Sequence, residues 1–371
     1  MALQTNPNLN AQIIYELSVQ NHTETHDFAG VIRDLDRIRD LGVDVVWLMP
    51  IHPRGEKMRF GVCGSPYSVK DFRAINPAYG TEADFDRLVR EVHARGMKLM
   101  LDIVYNHTSQ DSVLVQEHPE YFYQGADGKP MYRFWNDVYD LDYRNEDLCR
   151  YMVETALSWA RRGVDGYRCD VAPMVPLSFW TRARAAMDEV NPDFIWLAET
   201  HHYPFLVNMR DRGWCVHSDA EMYQAFDITY DYDVHYFYED YLKGKGTLEQ
   251  YVDGLNRQKA MYPMNYIKLR FLENHDQARV CSLVHTDEQL AMWTAFSYFL
   301  KGPVLLYAGQ EYKVAARTNV TGPDAFPREE APWLCGLLRR LRAVKKLPIA
   351  TKGAFFLEKP AQDSLLVGRY E

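Results

Sequence analysis

The chain has 371 residues, of which 47% are hydrophobic, 25% charged and 13% aromatic, a folded globular profile that excludes disorder, collagen and coiled coil. Its formal net charge of −9 argues against nucleic acid or an anionic membrane as the main partner, because both are held through basic patches. Length alone leaves open two domains of average size or one large α/β barrel with a decoration.

Cys63, Cys149, Cys169, Cys215, Cys281 and Cys335 stand singly, with no CxxC pair, and read as reduced thiols and not as a zinc site or redox motif. The first residues, MALQTNPNLNAQ, lack the charged and apolar regions of a signal peptide, and the most apolar later stretch, Ala291 to Gly309, is broken at Lys301-Gly302-Pro303. A cytoplasmic chain is expected. Secretion stays open for a leader removed ahead of this numbering.

Runs rich in Val, Ile and aromatics alternate with helix-period segments, the rhythm of parallel βα units. The first strand is expected at Ile13 to Val19, then a helix from Phe28 to Leu41 with Val31, Leu35 and Ile38 on one stripe and Gly42 as its stop signal. Val45 to Ile51 is a continuous apolar run, as a strand buried on both faces requires. A helix over Glu82 to Arg95, with Thr81 as N-cap, leads to a third strand at Leu99 to Tyr105. The 39 residues from Thr108 to Glu146 are too long for a plain loop and read as a small inserted domain. Beyond it come helix Asp147 to Arg162, strand Gly166 to Val171, helix Leu177 to Val190, strand Phe194 to Glu199, helix Tyr203 to Arg212 and a weaker strand near Ala225 to Ile228. Helix Leu242 to Gln258, strand Ile267 to Leu272, helix Glu288 to Leu300, strand Val304 to Tyr307 and helix Trp333 to Lys346 complete the series.

Eight strands and eight helices are the inventory of a TIM barrel, an α/β fold of the (β/α)8 type. A doubly wound open sheet would more often carry a glycine-rich phosphate turn after its first strand, and Tyr15 to Asn21 has none. The expected domains are a barrel over residues 1–107 and 147–348, the insert over 108–146, and a partial C-terminal β domain, a stub of two short strands, over 349–371.

Working residues of such a barrel lie at the C-terminal ends of its strands. The third strand ends in Asp102, Asn106 and His107, the fourth in Arg168 and Asp170, the fifth in Glu199 and Thr200, the seventh in Glu273, Asn274, His275 and Asp276. One acid alone is as well explained by a neighbouring Arg, and Asp170 by Arg168 two residues before it. Four strands aiming acids at one end of a barrel are not, since each carboxylate raises the pKa of the next. Metal binding or acid/base chemistry is expected there.

In order and spacing, the segments DIVYNH, GYRCDVA, the strand-end Ala198-Glu199 and FLENHD resemble the four sequence regions of the α-amylase family of glycoside hydrolases, and the likeness runs from Tyr15 to Glu311. The resemblance implies Asp170 as nucleophile, Glu199 as general acid/base and Asp276 as the carboxylate that orients sugar hydroxyls. It also implies Arg168, His107 and His275 around the reacting sugar and Tyr67 stacked beneath it. Asn106 matches a position that in many members helps bind a structural calcium. Asp142 or Asp137 of the insert would complete that Ca2+ site, and no organic cofactor is expected. Tyr67 is followed by Ser68 where many members have Asp, so one common acidic contact to substrate is missing.

Independently of the likeness, retaining cleavage of a glycosidic bond needs two carboxyls roughly 5 Å apart, and Asp170 and Glu199 fall on consecutive strands whose backbones lie about 4.8 Å apart. Arg168 should keep Asp170 ionised, while repulsion from Asp170 and Asp276 should raise Glu199. Among 25 Tyr and 8 Trp, Tyr67, Tyr105 and Trp135 are the candidate sugar-packing rings, with Asp102 and His202 as further candidates for substrate contact.

The expected function is retaining hydrolysis of α-glucosidic bonds in starch-like glucans or maltooligosaccharides, with an oligo- or polysaccharide substrate as partner. A transglycosylase, an exo-acting α-glucosidase, a non-catalytic glycan-binding relative and a metal-dependent barrel hydrolase are the rivals. The last lacks a paired HxH on the first strand, which reads IIYELSV.

Overall fold

The computed structural model describes residues 5–361 and 364–370 of the chain. Residues 1–4, 362–363 and 371, which the expected domain limits include, lie outside the described ones. The strands in chain order are β1 (Ile13–Leu17), β2 (Val45–Leu48), β3 (Lys98–Ile103), β4 (His107–Ser109), β5 (Val138–Asp140), β6 (Gly166–Cys169), β7 (Ile195–Ala198), β8 (Ile228–Tyr230), β9 (Lys268–Leu269), β10 (Val304–Tyr307), β11 (Ala354–Ala361) and β12 (Ser364–Tyr370).

Eight of them form one parallel sheet in the order β10-β1-β2-β3-β6-β7-β8-β9. The sheet closes on itself where Arg270 bridges Val304, with Arg270 N–H donating to the Pro303 carbonyl and Leu305 N–H to the Arg270 carbonyl, each at 2.8 Å. This is a (β/α)8 TIM barrel. Gly302 makes the closure sterically possible, since its φ is +124° and a Cβ there would sit 1.8 Å from the Lys268 carbonyl oxygen.

Alternation along each strand sorts the core into two layers. Ile14, Val45, Trp47, Met100, Ile195, Leu197, Ile228, Tyr230, Leu269 and Leu305 fill the barrel, while Ile13, Tyr15, Leu17, Val46, Leu48, Leu99 and Leu101 face the helices. Two residues further on, the inward positions turn polar: Glu16 after Ile14, Asp102 after Met100, and Glu199 after Leu197. The same period that packs the barrel therefore delivers charged groups to its C-terminal mouth.

The helix Phe28–Asp40 ends at the expected Gly42, whose φ is +93°, and Thr81 caps the helix Glu82–Ala94 in a full capping box with Asp84. Three expectations shift. The first strand stops at Leu17 because Val19–His22 already turns as a helix, and the weak strand is Ile228–Tyr230. The helix expected over 242–258 is Leu248–Met261, and a helix not expected, Tyr232–Leu242, precedes it. The turn between them uses Gly244 at φ +69°, and Thr247 starts the second helix by capping onto Gln250.

Between β3 and the helix Glu146–Arg161, β4 and β5 pair antiparallel, so that His107 lies opposite Asp140. Ser109 N–H donates to the Val69 carbonyl at 2.8 Å, which ties this hairpin to the loop that carries Tyr67. After the last barrel helix, β11 and β12 form an antiparallel hairpin of their own. Among the described residues no helix is long and apolar enough to cross a membrane.

Candidate active site

Strand register brings the central pair together. Cys169 of β6 is the partner of Ala198 in β7, so Asp170 and Glu199 leave neighbouring strands at the same level. Asp170 N–H donates to the Ile103 carbonyl at 2.9 Å and Glu199 N–H to the Cys169 carbonyl at 3.0 Å, which fixes both backbones beyond the strand ends. Asp102 and Arg168, partners in the β3–β6 ladder, lie one step deeper.

Arg168 is fully buried and organises the acids around it. Its Nη1 donates to Asp102 at 2.9 Å and to Asp170 at 3.0 Å, and its Nη2 lies 2.8 Å from Glu199 Oε1. The rings of Trp47, Tyr67 and Tyr230 surround the guanidinium, each with its centroid 5.5 Å from Cζ, a cation held by π faces as well as by charge. Glu199 Oε2 accepts the Val171 N–H at 2.8 Å. Val171 itself sits at φ +36°, a left-handed conformation costly for a β-branched residue, and that turn is what aims its N–H at Glu199.

One positive charge cannot offset three buried carboxylates. Burial pushes Asp102, Asp170 and Glu199 each up to about 7, against the pull of Arg168. The expectation that Arg168 keeps Asp170 fully ionised is thereby corrected: the guanidinium is divided among three acids and desolvation outweighs its share. Near neutrality the cluster shares a proton.

Asp276 behaves in the opposite way. Its side chain is 46% exposed at the rim. Partial desolvation pushes its carboxyl up, but His275, whose Nε2 is 3.1 Å away, outweighs that and holds it well below the usual range. Tyr67 connects the two sets: its hydroxyl donates to Asp102 at 3.0 Å and lies 2.8 Å from His275 Nε2, while its ring stacks on the imidazole at 5.4 Å.

Above these groups is a cavity of about 290 Å³ lined by Tyr67, His107, Trp135, Asp170, Glu199, His275 and Asp276, together with Ser65, Asp137, Val138, Val171 and His201. That volume is near the lower end for small-molecule sites, ~300 Å³. His107 is tilted against Trp135 with centroids 5.3 Å apart, and burial keeps its imidazole below the ordinary value and therefore neutral near pH 7. Asp102 and Arg168 lie beneath the cavity and reach it only through the residues they hold.

Several expected site residues are placed elsewhere. Tyr105 is a core ring, 1% exposed and stacked on Trp180 at 6.2 Å with 2° between planes, because its side chain faces the helices and not the barrel mouth. His202 points away into a neighbouring depression with Tyr232, His235 and Glu239, and its neighbour His201 takes the place at the cavity. Of the residues expected to hold calcium, Asp142 has both carboxylate oxygens accepting from Arg144, while Asn106 uses its Nδ2 toward His107 Nδ1 at 3.1 Å and its oxygen is not engaged by that contact. Among the described residues no three His, Cys, Asp or Glu side chains are grouped as a metal ion would need, and Asp137 lines the cavity instead.

Glu16 is passed over by motif reading, and His201, expected with His202 as a loop histidine, takes a place at the site. His201 Nε2 is buried without a protein hydrogen-bond partner, and burial with His202 and Arg168 nearby pushes its pKa down to about 3, so a neutral ring faces the cavity. Glu16, at 0% exposure, contacts His275 Nδ1. A carboxylate in the apolar strand IIYELSV, in step with inward Ile14, was the available signal.

The sequence matches the family model described as alpha amylase, catalytic domain, over residues 14–129 and 127–331. It is 26% identical over 321 residues to the α-amylase MalA of Haloarcula japonica, an alignment covering 83% of this chain and 45% of that protein. The chain thus spans about half the length of that relative. Among solved structures it is similar to an α-amylase from Lactobacillus plantarum, with 44% identity, 99% of this chain and 87% of that chain covered, and a TM-score of 0.96. It is also similar to the maltogenic α-amylase AmyB of Thermotoga neapolitana, at 39% identity, with 94% and 80% covered and a TM-score of 0.86.

Proposed function

The chain belongs to the α-amylase family of glycoside hydrolases, and on that premise we propose that it cleaves α-glucosidic bonds in starch-like glucans or maltooligosaccharides with retention, through a glycosyl ester on Asp170. The observation that carries this reading is the single buried guanidinium shared by Asp170 and Glu199, with Asp276 lining the same cavity.

A retaining mechanism needs one ionised and one protonated carboxyl at the same moment. A cluster that shares its proton near neutral pH supplies both forms. In the first step Glu199 gives its proton to the glycosidic oxygen as the C1–O bond breaks, and Asp170 forms an ester to C1. In the second step Glu199 takes a proton from water, the water oxygen bonds to C1 and Asp170 leaves as carboxylate. Asp276, kept ionised by His275, accepts hydrogen bonds from ring hydroxyls, and the neutral His107 contributes a further polar edge. Tyr67 and Trp135 present ring surface to the sugar's C–H face. Tyr67 also holds His275 and Asp102 in register. No step calls for a metal.

Transfer to a sugar in place of water is the second reading. Phe134, Trp135, Phe205 and Trp214 form a ring cluster beside the cavity, apolar cover that would favour a carbohydrate acceptor. Digestion of maltotriose and a longer maltooligosaccharide, followed by chromatography, separates the two, since products longer than the substrate mean transfer. Glu199→Gln should abolish turnover in either case, and full activity in that variant would sink the assignment of the acid/base.

A further inference from the structure

His275 has a carboxylate on each side. Its Nδ1 contacts Glu16 Oε1 on β1, and its Nε2 faces Asp276 Oδ2 at 3.1 Å and the Tyr67 hydroxyl at 2.8 Å. A neutral imidazole carries one N–H and one lone pair, so it would turn a lone pair toward one of these carboxylates. With both carboxyls ionised, both contacts are attractive only if both nitrogens carry protons. The Tyr67 hydroxyl cannot remove this requirement, because it donates to Asp102 and is left as an acceptor toward Nε2.

We propose that Glu16 is a positioning residue of the reaction: by accepting the Nδ1 proton it keeps His275 a cation whose Nε2–H holds Asp276 ionised and Tyr67 in place. The inference rests on the functional reading above for the identity of the reaction, and on geometry for the protonation state. Glu16 never touches the cavity and acts through the imidazole. Its other oxygen, Oε2, is buried without a hydrogen-bond partner, so no second donor of the protein competes with His275 for its charge.

The surroundings agree. Burial alone would discharge the imidazole, yet Asp276 and Glu16 lift it well above its ordinary value. The edge of Trp47 from β2 packs on the ring, and Arg317 donates to the His275 carbonyl. Arg168 from β6 and Arg317 also act on Asp276. Glu16 in turn feels Tyr230 from β8, Arg279 from the segment after β9, and Tyr307 from β10. Arg279 is already paired with Glu273, which leaves His275 as the cation hydrogen-bonded to Glu16.

The test is Glu16→Gln, which keeps shape and removes charge. With one of its two carboxylates gone, His275 should lose its proton at lower pH. The pH at which His275 loses its proton, followed through its 15N ring signals, should then move down by roughly 1–3 units, whereas alkaline loss of activity in the wild type is already set by the cluster of Glu199 near 7. A merely structural role would lower activity at every pH alike and leave that His275 titration in place, and that result overturns the proposal. Because the variant could fail to fold, the wild-type enzyme labelled with 15N-histidine provides an independent reading, with His275 assigned by difference from His275→Gln. Both ring nitrogens should be protonated at pH 8, and a neutral ring there also overturns it. If the ring is doubly protonated but no α-glucan is cleaved, the proposed reaction fails while the pairing of Glu16 with His275 is upheld.

Discussion

Asp170→Asn should make this protein more stable and inactive, and the gain should depend on pH. Burial raises the Asp170 carboxyl from 3.8 to about 7. An acid raised in this way binds its proton more tightly in the folded state. It contributes stability below the unfolded value of about 3.9 and loses it as pH rises through the folded value. Ionisation at pH 8 therefore costs about three units at about 1.4 kcal/mol each, on the order of 4 kcal/mol. The isosteric amide can still accept from Arg168 and leaves the guanidinium to Asp102 and Glu199. An unfolding entropy of about 2.1 cal/mol/K per residue over 371 residues makes that gain worth about 5 °C. Scanning calorimetry of wild type and variant should show Tm higher by about this much at pH 8 and nearly equal at pH 4. A variant no more stable than wild type at pH 8, or equally stabilised at both pH values, would refute the account of three acids competing for one guanidinium.

Tyr67→Phe removes the hydroxyl between His275 and Asp102 and leaves each a partner short, so kcat/KM should fall about tenfold, the equivalent of about 1.4 kcal/mol. Steady-state kinetics on maltotriose checks this, and an unchanged value would remove Tyr67 from the relay. Arg133→Ala strips the guanidinium from Asp140, which is 0% exposed in the β4–β5 hairpin and keeps only the backbone N–H of residue 133, and should destabilise that hairpin by about 2 kcal/mol, read as faster proteolysis within residues 107–140. His201→Phe should alter the ratio of transfer to hydrolysis more than the total rate, because the ring lines the cavity and its buried Nε2 makes no hydrogen bond to either carboxyl of the central pair. Product ratios at fixed conversion measure it.

The barrel was legible because its strands are buried on both faces and therefore read as unbroken apolar runs, and because Gly42 and Thr81 punctuate helices by their backbone chemistry. Strand-end position collected Asp170, Glu199 and Asp276 together with Asp102 and Glu273, and the family likeness singled out the three. What the chain did not disclose was direction. Tyr105 and Glu16 are both buried residues of barrel segments, and only the strand's phase says that one ring faces the helices and that one carboxylate faces the mouth. The choice between His201 and His202 depends on a loop conformation with no period to read. The helix Tyr232–Leu242 was hidden by its own composition, since YDVHYFYEDYL is poor in strong helix formers and is held by packing. The sharing of Arg168 among three acids is a property of three dimensions, and no spacing of residues reports it.

The barrel's ring of hydrogen bonds is uneven. β9 contributes only Lys268 and Leu269 to the ladder and meets β10 through the single bridge at Arg270. Asp276 and His275 hang from the end of this strand, whereas Asp170 and Glu199 hang from β6 and β7, which share four register pairs. Local opening costs least where fewest backbone bonds must break. The carboxylate that meets the sugar's hydroxyls therefore follows the shortest strand of the barrel and is held by side chains such as His275, while the pair that makes and breaks bonds follows two strands joined by a longer ladder.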